Sequence, residues 1–215
     1  EWAKGSQLVR VTPRFNPAVN GYWMCDIGRF QYGWVEGADR LRKPQLRTKD
    51  GAQQPATWKD ALTKVRDLLN AAGRRDPASV RFLVSAHASL EELFLVKRVA
   101  TELKGDAGPA HVAVTWRRSA KSQPANTKFV IPATDAPNVT GARDLGLGVG
   151  AGLDGTPDLS GLRAAVEAGM VDVLYVVDPG PAESLGDVAW VIEAKAAGRI
   201  KALVYQGVLT GALAS

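Results

Sequence analysis

Between Val171 and Val177 the chain reads Val-Asp-Val-Leu-Tyr-Val-Val, a run that only Asp172 interrupts with a charge. A strand with one wet face alternates apolar and polar residues, whereas a strand covered on both faces of a parallel sheet is apolar almost throughout. This run constrains the fold more than any other segment, because it needs helices packed above and below it. It is strand-sized, well short of the roughly 18 apolar residues that cross a bilayer.

The flanking pattern supplies those helices. Trp58, Ala61, Leu62, Val65, Leu68 and Leu69 recur at helical spacing behind Thr57, a suitable N-cap, with Gly73 as the expected stop. Val80 to Ser85 reads as a buried strand. Ser89-Leu90-Glu91-Glu92 has capping-box spacing and opens a helix through Leu103 that ends near Gly105. Val112 to Val114 is the next strand. From Arg117 to Pro137 no period is clean, apart from Lys128-Phe129-Val130-Ile131, a short strand or an extended loop. A helix from Leu159 to Ala168, capped by Asp158 or Ser160 and stopped by Gly169, leads into the Val171 run. A helix near Asp187 to Ala197, a strand from Lys201 to Tyr205 and a turn into Thr210 to Ala214 follow. Strands alternating with helices imply right-handed crossovers. Residues 54–215 are therefore expected to form a Rossmann-like α/β domain, a parallel sheet with helices on both faces. Residues 1–53 are expected to be a small irregular or β segment.

Composition narrows the function. With 215 residues, 46% apolar and 23% charged, the chain can bury a core without staples, and disorder or a coiled coil is excluded. A single cysteine, Cys25, excludes an internal disulfide framework and a self-contained Cys-rich metal site. His87 and His111 are the only histidines, too few for a His-based site. The chain opens on Glu-Trp-Ala-Lys-Gly-Ser, with neither a secretory nor a transit pattern, and reads as a fragment or a chain whose start is not seen. Residues 1–75 hold 14 Lys/Arg against 7 Asp/Glu, and the remainder 13 against 15. The basic stretch around Arg29, Arg40, Arg42, Lys43, Arg47 and Lys49 suits an acidic surface, nucleic acid or a charged cofactor, or is simply a solvated face.

In a fold of this kind ligands bind beyond the carboxyl ends of the strands. Gly146-Leu147-Gly148-Val149-Gly150-Ala151-Gly152 is glycine-rich, but no strand leads into it, so it fails the context of a dinucleotide loop. Asp178-Pro179-Gly180-Pro181 follows the strongest strand, yet lacks the glycines and lysine of a P-loop. Ser85-Ala86-His87-Ala88-Ser89 also joins a strand to a helix, without an assignable Ser/His/Asp arrangement.

The segment Asn16-Pro17-Ala18-Val19-Asn20-Gly21-Tyr22-Trp23-Met24-Cys25-Asp26-Ile27-Gly28-Arg29-Phe30-Gln31-Tyr32, followed by Asp39-Arg40-Leu41-Arg42-Lys43-Pro44, resembles the family of the large iron–sulfur subunit of respiratory complex I, the NADH:quinone oxidoreductase. That family is related to molybdopterin oxidoreductases. The likeness is specific at Val19-Asn20, Cys25-Asp26, Gly28-Arg29-Phe30 and Arg40-Leu41, and similar in kind at Ser89 to Phe94, Thr140 to Ala142 and Val204 to Gly207.

The resemblance implies that Cys25 is the fourth ligand of a [4Fe–4S] cluster in the parent protein, the other three lying outside this chain in a C-x2-C-x3-C group that would fall just before Glu1. One thiolate cannot hold a cluster alone. The resemblance further implies a vestigial molybdopterin-type domain that scaffolds electron transfer from NADH to quinone, without bound molybdopterin and without a catalytic centre of its own. Partners are then the other subunits of the peripheral arm, at the cytoplasmic face of the inner membrane, which is met only through the complex. Two alternatives stand beside this: a molybdopterin- or tungstopterin-dependent subunit of formate dehydrogenase type, and a basic nucleic-acid-binding protein with Trp23, Phe30, Tyr32 and Trp34 as stacking surfaces.

Overall fold

A computed structural model describes residues 2–128, 130–148 and 155–214. They fall into two compact units, Glu1–Arg42 and Lys43–Ser215.

In the first unit β1 (Trp2–Lys4) and β2 (Gln7–Arg10) form an antiparallel hairpin. Gly5 turns between them at φ 64°, a left-handed conformation that costs glycine little. Asn16 and Gly21 close a turn, followed by the short helix α1 (Asp26–Phe30) and a 3-10 turn over Gly33–Val35. Among the described residues of this unit none is buried. Polar contacts hold it instead. The Tyr32 hydroxyl donates to the Val9 carbonyl at 2.8 Å, and the Leu8 amide donates to the Glu36 carboxylate at 2.5 Å. Phe15 and Tyr22 meet at 4.5 Å between ring centres.

The second unit opens with the hairpin β3 (Gln45–Arg47) and β4 (Gln53–Pro55). Helix α2 (Trp58–Arg75) follows, its Thr57 hydroxyl accepting from the Asp60 amide at 3.1 Å as the sequence suggests. Gly73 does not stop it. The helix runs on to Arg75, where Pro77 and the extended Asp76 end it, and Gly73 lies where an added Cβ would come 3.2 Å from Leu103. The chain continues through β5 (Val80–Ser85), α3 (Leu90–Lys104), β6 (Val112–Thr115), α4 (Val139–Asp144), α5 (Ser160–Glu167), β7 (Val171–Asp178), α6 (Ala189–Ala196) and β8 (Ile200–Gly207). The capping box at Ser89 and Glu92 is formed in full, and Gly105 ends α3 at φ 61°. Around Lys128-Phe129-Val130-Ile131 there is no strand among the described residues. The Gln123 amide side chain pairs with both backbone groups of Ile131, at 2.9 and 3.0 Å, and so takes the place of a strand partner. Phe129 lies outside the described residues.

The sheet order is β6-β5-β7-β8, all parallel, with Phe82 opposite Tyr175 and Leu83 opposite Val176. Alternate side chains of the central strands feed two cores. On one face Phe82, Val84 and Val173 meet Leu93 and Ala100 of α3 and Ala142 of α4, with Leu68 and Leu69 of α2 packed against them. On the other, Leu83, Leu174 and Val176 meet Leu162 and Val166 of α5 and Val191 of α6. The Rossmann-like expectation, helices on both faces of a parallel sheet, is met. Asp172, the one charge in the defining run, is 6% exposed and ion-paired with Arg75 and, at 2.7 Å, with Lys201.

Leu174 is wholly buried at the centre of one core. Leu174→Ala is expected to cost about 2–5 kcal/mol, read as a lower urea midpoint at unchanged slope. Leu174→Asp should leave no cooperative unfolding transition, because a buried unpaired charge adds several kcal/mol more.

Candidate functional site

Each unit holds one candidate site.

In the first unit Cys25 caps α1. Its backbone is extended (φ −66°, ψ 148°) and its Sγ accepts a hydrogen bond from the Gly28 amide at 3.4 Å. The thiol is exposed. An added Cβ at Gly28 would stand 3.4 Å from that sulfur and 3.1 Å from Met24 Cε, so glycine keeps the amide close to the sulfur. The loop before it is set by Asn20, whose side-chain amide donates to the Trp23 carbonyl at 2.9 Å. An exposed sulfur that accepts a backbone N–H is chemically suited to be one ligand of an iron–sulfur cluster, whose sulfurs take such bonds. It is one donor only: among the described residues no group of three or more His, Cys, Asp or Glu gathers to hold a metal. Of the nearby aromatics, Trp23 and Phe30 are open to solvent and Trp34 lies under Arg40, the guanidinium carbon 5.2 Å from the ring centre.

In the second unit the strand order reverses at β5. The chain steps from β5 to β6, then returns to place β7 on the other side of β5. The loops leaving β5 and β7 feed α3 and α6, which pack on opposite faces, so a crevice opens between them. The two strand-end loops singled out in the sequence meet here. An added Cβ at Gly180 would lie 2.9 Å from His87 Cβ and 2.5 Å from Ser184 Cβ. Glycine is therefore required at 180, but the close approach is to the protein's own side chains rather than to a ligand.

Asp178 accepts from the Ser184 hydroxyl and, at 3.2 Å, from the Gly180 amide. Burial pushes its carboxyl above the usual value, against the opposing pull of those two bonds and of His87. Burial likewise lowers His87, against Asp178 and Asp135. Tyr205 is pushed up to about 12 by burial and by Asp178. Ser85 Oγ sits 3.4 Å from His87 Nδ1, but Ser85 is wholly buried, so it presents no nucleophile.

Beside this cluster, over the carboxyl ends of β6, β7 and β8, lies a cavity of about 740 Å³ lined by Trp116, Arg117, Asp178, Glu183, Asp187 and Tyr205, among others. Arg117 pairs with Glu183 at 2.5 Å, an exposed pair of small energetic weight. The Trp116 indole N–H is buried without a partner among the described residues. Of the loops singled out in the sequence only Asp178 lines this cavity. Its walls come from three strand ends and from Gly211 to Leu213. Of the glycine-rich loop, Gly148 bridges to Ala113 of β6, and residues 149–154 lie outside the described residues.

No family model matches the chain. Curated relatives do. The G subunit of NADH-quinone oxidoreductase from Shewanella oneidensis is 40% identical over 94 residues, which is 43% of this chain and 10% of that protein. NADH-quinone oxidoreductase subunit 3 of Thermus thermophilus is 34% identical over 101 residues, 47% of this chain and 12% of that protein. The chain is a homologue of these large oxidoreductase subunits. A putative formate dehydrogenase of Staphylococcus aureus is also similar, 29% identical over 105 residues, 48% of this chain and 11% of that protein. The matched stretch thus spans about a tenth of the relatives' own length. The resemblance to the large complex I subunit that the Cys25 segment carries is borne out by these relatives.

Two opposed pH effects follow from the crevice. Asp178, raised in the fold, adds stability that is present below its ordinary value of 3.8 and lost as the pH rises through its native value. His87, lowered, loses stability as the pH falls below 6.5. Asp178→Asn should remove the first effect, raising the urea midpoint near neutrality relative to its value near pH 4. His87→Gln should flatten part of the decline below 6.5. Part of the remaining decline belongs to His111, lowered to about 4 by burial and by Arg81 and Lys104, and at more acid pH to the lowered carboxylates Asp50, Asp135 and Asp158.

Proposed function

We propose that this chain is part of the large iron–sulfur polypeptide in the peripheral arm of respiratory complex I, at the cytoplasmic face of the membrane, where it scaffolds electron transfer between NADH and quinone. The identity to subunits of NADH-quinone oxidoreductase carries this reading. Among the described residues no helix is long and apolar enough to cross a membrane, which fits a polypeptide that meets the bilayer only through its partners.

Residues 1–53 are read as the end of a cluster-binding segment and 54–215 as a vestigial molybdopterin-type domain. Cys25 supplies one thiolate to a [4Fe–4S] cluster whose other three ligands come from outside this chain. When bound, the cluster accepts and passes on single electrons. The chain's own contribution is to hold one thiolate and to set the Gly28 N–H against its sulfur. The chain has no catalytic centre of its own. Ser85 and His87 are packed into the crevice rather than presented to a substrate.

A second reading, a pterin-dependent subunit of formate dehydrogenase type, is favoured by one observation: the cavity at the strand ends, with the Trp116 indole N–H unpartnered beside it. Its walls offer Arg117, Asp178, Asp187 and Tyr205 to a large polar ligand. Molybdenum or tungsten with extractable pterin in the purified protein would establish it.

The native assembly, purified anaerobically through this chain, is expected to contain iron and to give low-temperature EPR signals that appear on adding NADH. Cys25→Ser should remove one [4Fe–4S] signal and leave the far-ultraviolet circular dichroism unchanged. An unchanged EPR spectrum would remove Cys25 as a ligand.

A further inference from the structure

Helices α2 and α3 lie on the same face of the sheet, where Leu68 and Leu69 of α2 and Val96 and Leu103 of α3 pack against the core. α2 ends just before β5 begins and α3 begins just after β5 ends, so the two helices run the same way. They meet near their carboxyl ends, where glycine at 73 leaves room for Leu103. Side chains three and four residues apart share a helix face. The stripe that leads back from Gly73 is therefore Leu69, Val65, Leu62 and Trp58, and the stripe that leads back from Leu103 is Val99, Val96 and Leu95. The two stripes form the walls of one seam.

That seam is uncovered. Trp58 is 69% exposed, Leu62 61%, Leu95 56% and Val99 41%. Single exposed apolar residues need no explanation, but four large ones along one seam mark an interaction surface. Its two rims differ in charge. Outward of Leu62 on α2 stand Lys59 and Arg66. Outward of Leu95 and Val99 on α3 stand Glu91, Arg98 and Glu102. Helix α2 as a whole has five cations against two carboxylates, and α3 three against three. Lys59 has no ionic partner among the described residues. Arg66 pairs with its neighbour Asp67 at 3.0 Å, an exposed pair of small weight that leaves the guanidinium open to a second carboxylate.

We propose that the seam between α2 and α3 docks an amphipathic helix of another polypeptide, with an apolar stripe at i, i+3, i+4 and i+7 and carboxylates along the flank that faces α2. The apolar stripe covers Trp58, Leu62, Leu95 and Val99, and the carboxylates meet Lys59 and Arg66. A strand has no place here, because the seam is made of side chains and offers no row of backbone groups to pair with. The mixed charge of the α3 rim fixes no sign on the other flank. That the helix comes from a neighbouring subunit rests on the complex I reading.

Hydroxyl-radical oxidation read by mass spectrometry tests this on the native assembly purified through this chain. Trp58 is expected to react about tenfold more slowly there than in the assembly carrying both Lys59→Glu and Arg66→Glu, where like charges oppose the docking helix. Lys59→Arg with Arg66→Lys should keep the original protection. Both positions are exposed, and slow hydrogen exchange of the β5 and β7 amides in every variant reports an intact fold. Carbodiimide coupling, which joins only groups in contact, should link Lys59 to a carboxylate of another polypeptide. Fast oxidation of Trp58 in the unsubstituted assembly would overturn the proposal, and so would equal protection after the charge reversal. A link from Lys59 to a second copy of this chain, or within the same polypeptide, would overturn it too. Iron and NADH-induced EPR, measured on the same assembly, keep the two questions apart: the Lys59 link without those signals discards complex I but retains the docking helix.

Discussion

The second unit depends on the burial of β5 and β7 on both faces. Each fully buried Val or Leu contributes about 1.5–3 kcal/mol relative to exposure, and no single helix can cover both sides of a strand. The chain must therefore return across the sheet, sending α2, α3 and α4 to one face and α5 and α6 to the other. That division creates the crevice, because loops that leave adjacent strands for opposite faces part company at the strand ends. Architecture and candidate site thus have one physical cause. Asp172 is the exception in its strand, and its two cationic partners, Arg75 and Lys201, come from the elements on either side.

The first unit is held differently. It buries no described residue, and its aromatics lie open, pair with one another or meet a polar or cationic partner, as Tyr32 and Trp34 do. Its shape is a matter of turns, a hairpin and side-chain caps, of which Cys25 on α1 is one. This setting gives the lone thiol a backbone donor and solvent access together, and a thiol sealed in a core lacks the second. The chemistry proposed for Cys25 follows from that pairing. It remains one donor, and the cluster proposed for it needs further ligands.

The crevice is packed rather than poised for chemistry. Ser85 is sealed, Gly180 is filled by its own neighbours, and Asp178 is occupied by Ser184 and a backbone amide. Such packing stabilises the junction between the two loops. The cavity beside it is what a ligand could still use.

Much of the second unit was legible in the residue order. Thr57, the Ser89–Glu92 box, Gly105 and Gly169 mark helix ends through local backbone chemistry, and the Val171 run declares its own double-sided burial. Gly73 misled, because a glycine in a helix costs only about 1 kcal/mol and the packing against Leu103 tolerates it. The resemblance around Cys25 was also open to view, being a matter of residue identity. Tertiary structure alone decided that His87 meets Gly180, that Trp116, Asp178 and Tyr205 share a cavity, and that β8 stands at the edge of the sheet. These depend on strand order, which joins residues far apart in the chain, and local periodicity is the same whichever neighbour a strand takes.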